Sequence, residues 1–355
     1  MIAVLIAVAT SFLLCVLTTP FLIRFLQRRS IGQAIRDDGP VAHPHEAKAG
    51  TPTMGGVAII GAAFVAYLVA HIRTEAIKFA DTALALWFLI IGMALVGLLD
   101  DWLGVRKSRN LGLRKRGKLA GQYLVAGGFA LLALWFVGTA TRLSFTRAFD
   151  FEIAAWLWVV IAVMVVVSSA NAVNITDGLD GLAAGSAALV FAAFVVVAFT
   201  QFRHPEAYNL IAAQQIDLAV IAAAMMGACV GFLWWNALPA RIFMGDTGAL
   251  ALGAALAGLA ILTQTILLLP ILGGLYVMET GSVILQIISF RGFKRRIFRM
   301  SPIHHHFELL GWPESTVVVR FWILAGFAMA LGLGLFYADF LRIPGLIRRA
   351  PGCGG

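Results

Sequence analysis

Apolar runs close to the roughly 20 residues that cross a bilayer recur ten times in this chain, and they decide what it can fold into. They lie near 3–23, 55–72, 82–99, 120–138, 154–171, 183–200, 217–235, 248–264, 267–290 and 318–341. Strands of a membrane barrel would be about half as long and would alternate polar with apolar residues. Backbone groups in lipid must also be satisfied within their own segment. The runs therefore predict an all-α polytopic membrane protein of about ten transmembrane helices. Ala and Gly interleaved with larger apolar residues let such helices approach closely. With 61% hydrophobic and 13% charged residues, an ordinary soluble domain is excluded. No repeat or linker divides the chain, so residues 1–355 read as one domain, with the last dozen a flexible tail. The first segment lacks a basic leader and an Ala-x-Ala site before Arg24, and reads as a retained span.

The net charge of +9 is a topology signal rather than a nucleic-acid surface. The side reached by the loops after the odd-numbered spans carries 19 of the 27 Lys and Arg residues and the opposite side the other 8, with only Arg320, at the edge of the tenth run, inside a span. The 19-residue side is expected to be cytoplasmic, which puts both termini outside, on the periplasmic face. Cys15, Cys229 and Cys353 match no metal spacing and predict no structural disulfide.

The third run ends in Gly97-Leu-Leu-Asp100-Asp101-Trp102. One charge placed in hydrocarbon costs about 2.5–3.5 kcal/mol even on the lenient insertion scale. Two adjacent carboxylates also raise each other's proton affinity unless something positive shares the site. Asp100 and Asp101 are either a hydrated helix end or the partners of a divalent cation or ionised substrate at the membrane surface.

Four further polar stretches fall on the same predicted face. Lys48-Ala-Gly-Thr-Pro-Thr53-Met-Gly-Gly56 has glycines and a proline before a helix, which can expose N–H groups to an anion or simply shape a helix entry. Asn171-Ala-Val-Asn174-Ile-Thr-Asp177-Gly178-Leu179-Asp180-Gly-Leu182 is too polar for a mere connection of its length, although such residues also favour turns. Asn236 to Gly248 contains Phe243, which can stack on a base, and Asp246, which can cap the eighth span. Ser301 to Glu308 contains His304, His305 and His306. Consecutive histidines point in different directions and have no Cys beside them, so they read as phosphate donors or proton carriers rather than zinc ligands. Acids for a cation, bases for an anion and an aromatic for a ring describe metal-assisted phosphoryl transfer. Carboxylates without thiolates favour Mg²⁺, or Mn²⁺, bound through substrate phosphates.

Taken in order, these motifs resemble the phospho-N-acetylmuramoyl-pentapeptide transferase family, a branch of the polyprenyl-phosphate N-acetylhexosamine-1-phosphate transferase superfamily. The match also takes in Lys118-Leu-Ala-Gly-Gln122 and Glu279 to Gln286, and it spares only the last dozen residues. The resemblance implies transfer of a phospho-MurNAc-pentapeptide from UDP to undecaprenyl phosphate at the bacterial inner membrane, giving lipid I and UMP. It implies a homodimer of ten-helix protomers. It also puts metal ligation on Asp246 with Asp100 and Asp101, and catalysis on those three acids with Lys118, His304 and His305. Donor binding falls on Lys48, Thr53, Asn174, Asp177, Gly178, Leu179, Asp180, Asn236, Phe243 and His306. A sister transferase moving N-acetylhexosamine-1-phosphate would share most of these motifs, whereas His-His-His-Phe-Glu favours the muramoyl branch. A secondary transporter would carry ionisable groups at mid-membrane, for which Glu279 is the clear candidate.

Overall fold

The computed structural model describes residues 1–29, 50–73, 78–106, 112–146 and 150–342. Lys48 and the expected flexible tail lie outside the described residues. The chain is a helical bundle built from α1 (Ile2–Arg28), α2 (Gly56–Arg73), α3 (Asp81–Arg106), α4 (Lys115–Leu131), α5 (Ala155–Thr176) and α6 (Leu182–Arg203). It continues with the short α7 (Pro205–Tyr208), then α8 (Ala212–Asn236), α9 (Gly245–Leu262), α10 (Leu269–Leu272), α11 (Gly274–Phe293), α12 (Ile303–Glu308) and α13 (Glu314–Phe340). A π-helical turn at Leu132–Phe136 extends α4, and β1 (Arg142–Ser144) pairs antiparallel with β2 (Asp150–Glu152).

Eight described helices are long and apolar enough to cross a membrane, and Gly56–Ile72 is a shorter apolar helix. The ninth expected span, 267–290, is broken at Gly273, which separates α10 from α11.

Helix α9 is the centre. Every residue from Thr247 to Leu262 is buried, as a helix apolar on all sides requires. It packs against α2, α3, α5 and α6. Its first turn is gripped at two places where only glycine fits. A Cβ on Gly56 would lie 2.1 Å from the Gly248 nitrogen, and one on Gly97 would lie 2.2 Å from the Asp246 carbonyl oxygen.

The far end of the bundle corrects the sequence reading of intramembrane charge. Span seven was expected to begin at Asp217, but α8 begins at Ala212 and buries Asp217 completely. Tyr67 donates to it at 3.1 Å, the Ala80 backbone N–H at 2.8 Å, and His71 Nε2 lies 3.1 Å away. Glu279 is therefore not alone as a buried ionisable group. The partners of Asp217 come from α2 and the α2–α3 connection, which no pattern within α8 could reveal.

Candidate functional site

The five polar stretches meet at one end of the bundle, opposite Asp217. The segment before α2 and the segment before α9 zip together: Phe243 N donates to Pro52 O at 2.8 Å, Gly55 N to Phe243 O at 2.9 Å, and Gly56 N to Met244 O at 2.9 Å. This pairing fixes where α9 begins. Thr53 is buried here, its hydroxyl beside Gly245 and Asp101, while the Phe243 ring is partly exposed.

Asp100 and Asp101 do not end α3, which runs on to Arg106. Neighbours on a helix point about 100° apart, and the two carboxylates serve different elements. Asp101 Oδ1 accepts from Asp246 N at 3.0 Å. Its Oδ2 accepts from Thr247 N at 3.0 Å and from Thr247 Oγ1 at 2.6 Å. Both oxygens satisfy N–H groups that α9 leaves open at its start, where the helix dipole also favours an anion. Asp100 faces α4 instead: its Oδ1 accepts from Leu113 N at 2.6 Å and its Oδ2 lies 3.2 Å from Lys118 Nζ. The same ammonium donates to Asp246 Oδ2, and the Asn174 amide donates to Asp246 Oδ1. One turn away along α4 and α5, Asn171 donates to Gln122 at 2.7 Å.

The loop from Asp177 to Gly181 carries most of the remaining expected residues. Asp177 is pushed up to about 8 by burial and by the negative charges of Asp246, Asp101 and Asp180. Asp180 Oδ2 accepts from Ala240 N at 2.9 Å. Asn236 is a buried strut, accepting from Gly181 N at 3.1 Å and donating to Ile242 O at 2.9 Å. Leu179 is buried against Leu275, Val317 and Phe321, so its side chain anchors the loop. The histidines diverge as adjacent residues should. His304 Nδ1 lies 3.0 Å from Glu279 Oε2, His305 Nδ1 lies 2.7 Å from Glu308 Oε2, and His306 Nδ1 accepts from Arg299 N at 3.1 Å.

Glu314 escaped the sequence reading: its Oε1 accepts from Asp180 N at 2.9 Å, tying the loop to α13. Its only signal was an acid directly after Pro313, which reads as an ordinary helix start.

Among the described residues no group of three or more His, Cys, Asp or Glu side chains converges as a ready cation cage. Mg²⁺ rarely needs one, since it keeps several waters and takes one or two carboxylates plus substrate phosphates. The donor set here fits that chemistry: Asp100 and Asp246 converge on a single ammonium, and burial together with the surrounding carboxylates raises the pKa of Asp177.

The sequence pattern of glycosyl transferase family 4 matches residues 83–264, and the first phospho-N-acetylmuramoyl-pentapeptide-transferase signature matches residues 48–60. A phospho-N-acetylmuramoyl-pentapeptide-transferase of Frankia casuarinae is 49% identical over 350 residues, covering 95% of this chain and 98% of its own length. The enzymes of that name from Streptomyces griseus and Kineococcus radiotolerans are each 50% identical, with the same coverage of 95% and 98%.

Proposed function

The chain belongs to the phospho-N-acetylmuramoyl-pentapeptide-transferase family within glycosyl transferase family 4, and from this we propose how its polar end works. It transfers phospho-MurNAc-pentapeptide from its UDP carrier to undecaprenyl phosphate, forming lipid I and UMP for peptidoglycan synthesis. The polar end faces the cytoplasm of a bacterial inner membrane, where the excess of Lys and Arg belongs. The observation that carries the reading is the Asp100–Lys118–Asp246 bridge at the start of the buried helix α9.

An oxygen of the acceptor phosphate attacks the phosphorus that bears the sugar. The bond from that phosphorus to the UMP oxygen breaks, and its electron pair leaves with UMP. Positioning and charge neutralisation are what such a transfer demands of a protein. Lys118 is set to balance phosphate charge, and Asp100 to orient the acceptor phosphate and take its proton when it has one. Asp101 holds the first turn of α9 and with it Asp246, which Asn174 aims. Asp246, with Asp100 beside it, would hold Mg²⁺, which would supply neutralisation of the charge that develops in the transfer. Phe243 stacks on uracil at the rim of the loop from Asp177 to Gly181, with Lys48 on the same stretch as Thr53. The buried pairing of Glu279 with His304 leaves no open intramembrane carboxylate there for a transport path.

Purified protein is incubated with undecaprenyl phosphate, Mg²⁺ and either UDP-MurNAc-pentapeptide or UDP-N-acetylglucosamine, each labelled in the sugar. Label in the lipid from the muramoyl donor alone is expected, and Asp246→Ala is expected to abolish it in folded protein. Label from the N-acetylglucosamine donor alone would move the chain to the sister activity.

A further inference from the structure

Glu279 and His304 form a buried pair behind the donor loop, and neither takes part in the transfer proposed above, although the resemblance puts catalysis on His304. Both side chains are fully buried, one on α11 and one on α12, with His304 Nδ1 3.0 Å from Glu279 Oε2. A carboxylate oxygen at that distance can only accept, which assigns the hydrogen to Nδ1 as the donor and fixes the ring's tautomer and orientation. Among the described residues the other ring nitrogen, Nε2, has no hydrogen-bond partner. That nitrogen lies against Gly178: a Cβ added there would stand 2.5 Å from Nε2 and 3.0 Å from Cε1. Gly178 is not among the residues at positive φ, so its backbone would accept any side chain. What demands glycine at 178 is the imidazole edge.

The imidazole is thus a wedge beneath the segment between Asp177 and Asp180. The rest of this loop is held from other directions. Asp180 N is tied to Glu314, Gly181 N to Asn236, and the Leu179 side chain to Leu275, Val317 and Phe321. Gly178 itself has His304 as its backing. His304 has no solvent exposure while Gly178 is exposed, so a ligand on the loop meets the glycine and not the ring.

We infer that Glu279 is a positioning residue, which holds His304 as a wedge under Gly178 and thereby sets the donor-binding shape of the loop from Asp177 to Gly181. The inference rests on the reading that this loop binds the UDP donor. It places the first of the three histidines behind the loop rather than on the substrate.

Two readouts on the full-length protein test it. The first is hydrogen exchange of the backbone amides from Gly178 to Leu182 without ligand. Glu279→Ala should speed their exchange about tenfold, whereas Glu279→Gln, which keeps an oxygen acceptor for Nδ1, should stay near wild type. In a His304→Ala background Glu279→Ala should add nothing. The second is UDP affinity by calorimetry. Gly178→Ala should weaken it at least tenfold with His304 present, and less than threefold with His304→Ala. Equal loss in both backgrounds, or unchanged exchange in Glu279→Ala, would overturn the inference. Exchange behaving as described while wild type shows no affinity for UDP would leave the wedge standing and remove the donor reading instead.

Discussion

Asp101 holds Thr247 by two hydrogen bonds to one carboxylate oxygen, 3.0 Å from the backbone N–H and 2.6 Å from the hydroxyl. The contact joins α3 to the first turn of the most buried helix and fixes the backbone that carries Asp246. Loss of a helix-start partner costs about 0.5–2 kcal/mol. Asp101→Ala is expected to lower the thermal midpoint by several degrees and to lower kcat with little change in donor KM. Asp101→Asn, which keeps one acceptor oxygen, should lie between Asp101→Ala and wild type. Thermal unfolding in detergent, with initial rates on the same samples, checks both.

Phe243 is fixed through its backbone to Pro52 and Gly55 while its ring stays partly exposed. Stacking on a base contributes about 1–3 kcal/mol, so Phe243→Ala should weaken UDP binding by roughly tenfold to a hundredfold. Calorimetry decides it, and an unchanged affinity would make the ring a packing residue.

Asp177 gives a pH signature. Burial and the neighbouring carboxylates push its folded carboxyl up to about 8, against about 3.9 in an unfolded chain. Between those values the folded protein keeps a proton that the unfolded chain has released. The stability that this proton confers is complete below about pH 4, declines as pH rises, and is gone above about 8. In metal-free buffer the thermal midpoint of wild type should therefore fall more steeply from pH 4 to 8 than that of Asp177→Asn. The variant should be the more stable of the two above pH 8. Parallel curves would contradict the placement of Asp177 among Asp246, Asp101 and Asp180.

Much of this was legible in the sequence because lipid imposes one strict rule, and span length and charge asymmetry report it directly. The gathering of Asp100, Asp177, Asp246 and the histidines at one end followed from counting spans. The helical repeat also showed that Asp100 and Asp101 must face apart. Which neighbour each would meet was not legible, since Thr247 and Lys118 come from distant helices. The resemblance gives Asn236 to donor binding, and the fold adds what no local pattern encodes: its buried amide bridges Gly181 N and Ile242 O. The pairing of Glu279 with His304 and that of His71 with Asp217 depend on helix packing across the bundle, and no local pattern encodes either.

The most direct measurement is a single turnover with the sugar-bearing phosphate of UDP-MurNAc-pentapeptide labelled, run with and without undecaprenyl phosphate. The account predicts UMP release only with the acceptor present, all transferred label in the lipid, and none on the protein. Stoichiometric UMP release without acceptor, with label retained on the protein, would contradict direct attack at the Asp100–Lys118–Asp246 centre.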